Sequence, residues 1–223
     1  MTMPVMLFAA GKGTRMKTLT QDRPKPMIPV AGRPLLDHAL EIVDGADVGP
    51  SVINIHYLPE VIRAHLADRD ILFSDETDAL LETGGGLRKA LPLLGHGPVV
   101  TMNTDAAWQG PNPIAALQKA WQPEMEALLL LAPKASAHGH LSAGDFKIDK
   151  TGRLHRAPEM IYTGVQIIKP AVLSEIAEPA FSMNVAWDII AQRGGLFGVV
   201  YDGQWCDVGQ PSSIPIAAAM RDV

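Results

Sequence analysis

The sequence predicts an α/β protein with a Rossmann-like, mixed but mainly parallel sheet flanked by helices and a small second lobe. Three observations carry that expectation. Short apolar strands alternate with amphipathic helices over about the first 133 residues, the order of a doubly wound sheet. The first strand runs into Ala10-Gly11-Lys12-Gly13, a glycine turn at a strand's carboxyl end. A later buried strand ends at Asn103-Thr104-Asp105, which puts an acid at the same kind of position. In open sheets of this type, ligands bind outside the carboxyl ends of strands.

The elements follow in order. Residues 5–9 form an unbroken apolar run, the pattern of a buried strand. Pro34 suits the first turn of a helix. After it, Leu36, Ala39, Leu40 and Val43 make an apolar stripe, with Asp37, Glu41 and Asp44 on the wet side. Gly45 and Gly49 end that helix. A strand over 52–55, an amphipathic helix over 59–66 and a strand over 71–73 come next. Thr83 is expected to cap a short helix that Pro92 stops near residue 91. Residues 98–102 read as a strand, 113–121 as a helix and 127–132 as a strand.

The second part, about 134–223, changes character. Asp145-Phe146-Lys147-Ile148-Asp149 alternates, and Thr151-Gly152 reads as a turn into a further strand, which predicts a hairpin. A strand over 162–168, helices near 170–177 and 184–192, and extended segments over 196–201 and 204–208 complete the chain. No linker, repeat or low-complexity run separates the halves, so residues 1–223 are expected to form one domain.

Composition excludes several classes. The 223 residues are 47% hydrophobic and carry a net charge of −5. No basic patch argues for nucleic acid. Cys206 is the single cysteine, which excludes an internal disulfide and points to a reducing compartment. No apolar run reaches the length of a membrane span, and no charged segment precedes the first apolar stretch. A cytoplasmic protein without a membrane partner is expected. An anionic ligand must then be met by local cations and metal rather than by the field of the whole molecule.

The glycine turn supplies such a locus. Glycines let backbone approach oxygen atoms, and successive N–H groups can line an anion-binding hollow. Arg15 follows at once, and Lys25 stands within Pro24-Lys25-Pro26. Their charges suit phosphate, Arg as a planar fork and Lys as a point charge. Met16 occupies the third glycine position of a dinucleotide fingerprint, and Gly13 follows Lys12 where a Walker A loop needs Ser or Thr. Both of those commoner motifs are therefore excluded.

The motif Ala9-Ala10-Gly11-Lys12-Gly13-Thr14-Arg15-Met16 with Pro24-Lys25-Pro26 resembles the signature of the sugar-1-phosphate nucleotidyltransferases. Pro29-Val30-Ala31-Gly32-Arg33-Pro34-Leu35 is similar to a further segment of that family. Glu82-Thr83-Gly84-Gly85-Gly86, Gly144-Asp145-Phe146 and Trp205-Cys206-Asp207-Val208-Gly209 resemble its short bacterial branch, which uridylylates N-acetylmuramate 1-phosphate. The resemblance implies a nucleotide-diphospho-sugar transferase fold, with a nucleotide-binding half over about 1–133 and a sugar-binding half over about 134–223. It implies a nucleoside triphosphate and a sugar 1-phosphate as partners, in a monomer or small homo-oligomer.

Site residues follow from the same resemblance. Arg15, Lys25 and Asp105 are expected in catalysis. Ala10, Gly11, Gly13, Thr14, Arg15, Lys25, Thr83 and Gly84 are expected around the nucleotide, with backbone groups near Ala10-Gly11 and Thr83-Gly84 on the base. Asn103, Gly144, Asp145, Glu159, Gly164 and Asn184 are expected around the sugar phosphate. Asp105 and Asp207 are expected to share Mg²⁺, whose habit is one or two carboxylates with phosphate oxygens and water.

Two departures stand out. Thr104 replaces a glycine that many members carry before the metal-binding acid; its side chain either crowds a ligand or points harmlessly into the sheet. The Glu-Lys pair of the hexose-phosphate thymidylyl and uridylyl branches is also missing. The chain stops soon after Gly209, so no β-helix domain is expected. Mannose-1-phosphate guanylyl transfer and a non-catalytic nucleotide-sugar sensor are the alternatives. His138 and His140 read as a polar loop, Cys206 as no nucleophile, and the tryptophans as core or pocket wall.

Overall fold

The computed structural model describes residues 2–221. Strand β1 (Val5–Phe8) leads through the glycine turn and a 3-10 segment, Thr14–Thr20, to a short ribbon of β2 (Pro29–Val30) and β3 (Arg33–Pro34). Helix α1 (Leu35–Asp44), β4 (Ser51–Ile55), α2 (Pro59–His65), β5 (Ile71–Asp75), α3 (Glu82–Leu94) and β6 (Val99–Asn103) follow. Next come β7 (Ala106–Gln109), α4 (Pro113–Ala120), β8 (Ala127–Pro133) and β9 (Ala137–His138). The hairpin β10 (Phe146–Ile148) and β11 (Leu154–Arg156) precedes β12 (Met160–Ile168), α5 (Met183–Gln192), β13 (Leu196–Val200), β14 (Gln204–Asp207) and α6 (Ser213–Arg221).

Among the described residues nine strands form one mixed sheet. Strands β6, β1, β4 and β5 lie side by side and parallel. Strand β12 runs antiparallel between β6 and β8, and β13 lies parallel to β8. The expected mixed, mainly parallel α/β fold is therefore present. Alternation sorts each strand onto two faces, as its period of two requires. Val5, Leu7, Ile53, Ile55, Val100 and Met102 pack under α1, α2 and α4, against Leu36, Leu40, Ile62 and Leu117. Met6, Val52, Val99, Leu129 and Leu131 face the other way, toward Leu87 and Ala90 of α3 and Trp187 and Ile190 of α5. Burial on both faces explains why these strands read as continuous apolar runs. Each fully buried Val, Leu or Ile contributes about 1.5–3 kcal/mol of transfer free energy.

Several local expectations need correction. Pro34 stands at the N-cap of α1, one residue before the first turn, with Leu36, Ala39, Leu40 and Val43 buried as the stripe required. Thr83 does not cap α3; Leu81 holds that position, and the Thr83 hydroxyl accepts a bond from the Met183 N–H at 2.9 Å. Pro92 does not stop α3 either. It falls in the last turn, where it forfeits the bond to the Arg88 carbonyl without ending the helix, and Gly95 at φ 82° ends it. Residues Pro170–Glu175 form a 3-10 segment rather than a longer helix.

A small sheet and α6 went unpredicted, although the sheet's strand β14 falls within the segment expected to be extended over 204–208. Strands β7, β14 and β9 make a separate three-stranded sheet, and α6 lies over it. Met16, Ile28, Val30, Leu35, Ala107, Cys206, Val208 and Ala217 form the third cluster of the core beneath that sheet. This small cluster ties the segment after the glycine turn to the C-terminal strand.

Candidate active site

The glycine turn leaves the sheet where β1 lies between β4 and β6, with Phe8 paired to both Asn54 and Asn103. A buried strut fixes its start. The Ala9 N–H donates to Asn54 Oδ1 at 2.7 Å, Asn54 Nδ2 donates to Glu76 Oε1 at 2.7 Å, and the Leu81 N–H donates to Glu76 Oε2 at 3.2 Å. Glu76 is fully buried, and its oxygens are satisfied within this chain of bonds. Nothing lies within 4 Å of where a Cβ on Gly11 would stand, so the turn keeps open space beside its backbone. Gly13 adopts φ 62°, and a Cβ there would come within 2.9 Å of Lys25 Cβ. Glycine is required at that position both by conformation and by the approach of Lys25. Arg15 projects exposed from the 3-10 segment that buried Met16 anchors.

The two acids meet by strand pairing. Asp105 precedes β7 and Asp207 ends β14; the antiparallel register sets Asp207 opposite Ala106. The Val208 N–H donates to the Asp105 carbonyl at 2.9 Å, closing the corner. Lys25 Nζ donates to Asp105 Oδ2 at 2.6 Å, with the Lys25 residue only 8% exposed. Burial first, and then the neighbouring charge of Asp105, raises the Asp207 pKa to about 6; Lys25, Arg15 and His140 pull the other way. The five groups therefore form one electrostatic cluster. A Cβ on Gly209 would sit 2.7 Å from Asp207 Oδ2, so the chain turns tightly around that carboxylate. Thr104 borders the first cavity but turns its hydroxyl away from it: the residue is 2% exposed, and the hydroxyl donates to the Phe8 carbonyl at 2.8 Å.

The donor set fits Mg²⁺. It is two carboxylates, hard oxygen donors whose mutual repulsion a divalent cation relieves. Among the described residues no group of three or more His, Cys, Asp or Glu could hold a metal, so phosphate oxygens and water would complete the shell.

One cavity adjoins this cluster, and a second lies beside the first. The first is lined by Ala9, Ala10, Gly11, Lys25, Asn54, Glu76, Leu80, Glu82, Thr83 and Asp105, among others. The second is lined by Asp145, Phe146, Arg156, Tyr162, Gln166, Ser182, Asn184 and Trp187. Phe8, Thr83 and Asn103 border both, so the two spaces are neighbours.

The expected residues divide accordingly. Ala10, Gly11, Lys25, Thr83, Asn103 and Asp105 line the first cavity. Asn103, Asp145 and Asn184 line the second. Asp145 is also structural, accepting from the Tyr162 N–H at 2.8 Å and the Ser142 hydroxyl at 3.1 Å. Five expected residues play other parts. The Gly84 N–H is spent on the Phe181 carbonyl at 2.9 Å, and a Cβ there would strike the Phe181 ring, so Gly84 packs α3 against the start of α5 rather than facing a base. Gly144 backs onto Pro158, and Gly164 backs onto Asn103. Glu159 is exposed in the bend before β12 and does not line the second cavity. Thr14 lies on the exposed 3-10 segment beside Arg15.

Sequence reasoning missed Asn54, Glu76, Arg156 and His140. Asn54 lies near the end of β4, beside β1, and Glu76 follows β5, the next strand out, a positional signal that was available. His140 carried a signal only as a neighbour in sequence of His138; its proximity to Asp207 arises from the β9–β14 pairing. Cys206 is fully buried, and burial pushes its thiol up to about 11, which agrees with the reading that it is no nucleophile.

Fold and site together define an enzyme of the nucleotidyltransferase class. The chain belongs to the MobA-like NTP transferase domain family, whose model matches residues 5–178. It is similar to the N-acetylmuramate alpha-1-phosphate uridylyltransferase of Caulobacter vibrioides, 39% identical over 97% of this chain and 95% of the relative. It is less similar to mannose-1-phosphate guanylyltransferase 1 of Arabidopsis thaliana, 28% identical over 94% of this chain and 62% of the relative. Among solved structures, UDP-glucose pyrophosphorylase from Acinetobacter baumanii superposes with a TM-score of 0.80 at 13% identity, covering 98% of this chain and 92% of that one. The resemblance read from the motifs is thereby borne out.

Proposed function

We propose that this protein transfers the uridylyl group of UTP to N-acetylmuramate 1-phosphate and releases pyrophosphate. The observation that carries the proposal is the meeting of Lys25, Asp105 and Asp207 beside a cleft that shares Asn103 with a second polar cavity. The named activity of the 39% identical relative supports the choice of substrates.

The nucleophile is a phosphate oxygen of the acceptor, already anionic near neutral pH because the second pKa of a phosphate monoester is about 6. It forms a bond to the α-phosphorus as the bond from that phosphorus to the β-phosphate bridge oxygen breaks. Pyrophosphate leaves with the electron pair, and no proton transfer is required. The chain's work is alignment and charge neutralisation. Lys25 has three N–H donors, so it can keep Asp105 while reaching a phosphate oxygen. Arg15, exposed beside the turn, meets the departing pyrophosphate. The open backbone at Gly11 receives the triphosphate. Asp105 and Asp207 would hold Mg²⁺, which supplies neutralisation between two anionic reactants. With the Thr104 hydroxyl turned into the sheet, the feature that favoured a non-catalytic sensor loses its force. We place the reaction in the cytoplasm, where nucleoside triphosphates are available.

Pyrophosphate release tests the proposal. Purified protein with Mg²⁺ is offered UTP or GTP against N-acetylmuramate 1-phosphate, N-acetylglucosamine 1-phosphate and mannose 1-phosphate. UTP with the first acceptor should be fastest, and EDTA should stop the reaction. Preference for GTP with mannose 1-phosphate would replace this reading with the guanylyl one. No release with any pair would overturn it.

A further inference from the structure

The second cavity contains one cation among its lining residues, Arg156, at the end of β11. Its placement is built rather than incidental. The guanidinium carbon lies 4.5 Å from the centre of the Phe146 ring and 5.8 Å from that of Trp187. Both rings stand on the cavity wall, and Trp187 is itself fixed by donating from Nε1 to Gln166 Oε1 at 2.8 Å. Asp188 anchors the group from outside. Arg156 Nε and Nη2 both donate to Asp188 Oδ1, at 3.2 and 2.8 Å. The Asp188 side chain is 59% exposed, so water screens much of its charge. Nη1 has no partner among the described residues. The Arg156 side chain is 45% exposed and also borders a neighbouring cavity beside Leu154 and Asp188, but stacking on two rings and the tether along one edge restrain it while leaving an edge of the fork free.

A neutral sugar does not call for such a group. Hydroxyls and an N-acetyl amide are met by neutral donors and acceptors, and Asn103, Gln166, Ser182 and Asn184 already supply them. The acceptor's phosphate is met elsewhere, since Lys25 and Arg15 stand at the glycine turn. Asp145 precedes Phe146, the strand partner of Arg156, and its carboxylate oxygens accept from Tyr162 and Ser142; among the described residues the ion pair of Arg156 is with Asp188. A fixed fork of donors is suited to a carboxylate, which it can take at two points.

We propose that Arg156 determines acceptor specificity by binding a carboxylate carried on the sugar ring. The preferred acceptor class is then an acidic N-acetylhexosamine 1-phosphate, in which a carboxylate hangs on a short ether arm, over the corresponding neutral sugar. This assignment rests on the functional reading above and gives it a residue-level cause.

The test compares N-acetylmuramate 1-phosphate with N-acetylglucosamine 1-phosphate, which lacks only the carboxylate-bearing arm, in wild type, Arg156→Gln and Arg156→Lys. The ratio of kcat/KM for the acidic over the neutral acceptor should fall in Arg156→Gln by about tenfold to a hundredfold, the range a charge-assisted hydrogen bond commands. The loss should appear in the acceptor KM, and Arg156→Lys should restore part of the ratio. In wild type alone, the methyl ester of the acidic acceptor should lose the preference, which needs no variant to fold. An equal loss on both acceptors in Arg156→Gln, or an unchanged preference for the methyl ester, would overturn the assignment. Wild type that turns over both acceptors equally well also sinks it, while leaving nucleotidyl transfer intact. Wild type that turns over neither sinks the functional reading itself.

Discussion

Asp207 shows how burial beside a like charge works against stability. Its pKa stands at about 6 in the folded protein against 3.8 for an ordinary aspartate, because it is buried beside Asp105. A carboxyl raised in this way holds its proton more tightly when folded than when unfolded. Its stabilising contribution is present at low pH and is lost as pH rises from about 4 through about 6. Metal-free protein should accordingly lose stability over that window, and Asp207→Asn should remove the loss. We expect Asp207→Asn to melt higher than wild type at pH 8 without metal, and to have lost turnover. Thermal melts at pH 5 and pH 8, with and without Mg²⁺, check this. A variant that melts lower than wild type at pH 8 would contradict the account. Thr104 is the converse case at this scale. Its identity was plain in the sequence, but whether it obstructs depends on one rotamer, fixed by the bond to the Phe8 carbonyl.

At the scale of elements, β12 does the most to shape the site. It pairs with β6 and β8 along Gln166–Ile168, and its register to β8 shifts between Tyr162 and Gln166. Gly164 lies in that shift at φ 85°, a region costly for any residue with a Cβ. A Cβ there would also come within 2.7 Å of Asn103 Nδ2. Beyond this irregularity the strand turns away from β6 to meet the hairpin that carries Arg156. Gly164→Ala should cost about 1–3 kcal/mol through backbone strain and crowding. It should displace Asn103 and raise KM for the acceptor more than for UTP. Melting temperature and the two KM values check this; an unchanged acceptor KM would detach Asn103 from that cavity. Glycine at 164 was visible in the sequence, yet its reason was not, because the strain exists only against a particular neighbour.

For the whole molecule, the cluster spans two sheets. Lys25 follows the glycine turn of the large sheet, whereas Asp105 and Asp207 border the small one that α6 covers. A triphosphate with a divalent cation would cross-link both. We therefore expect UTP and Mg²⁺ together to raise the melting temperature by more than the sum of either alone, since each completes the site of the other. Simple additivity in a melt titration would show that the two ligands do not share a site. Among the described residues no helix is long and apolar enough to cross a membrane.

The sequence by itself determined the succession β1–α1–β4–α2–β5–α3–β6 and the glycine turn at its head. Those signals are local: apolar period, proline and glycine positions, and charges a few residues apart. It also marked Lys25, Asp105 and Asp207 through motif resemblance, without showing that they meet. Only the tertiary structure decided that meeting, because it arises from pairing β7 with β14 across about a hundred residues of chain. The same holds for the small sheet under α6, for His140 beside Asp207, and for Arg156 stacked on Phe146 and Trp187. Each depends on contacts between segments distant in sequence, and such contacts leave no periodic trace in either segment alone.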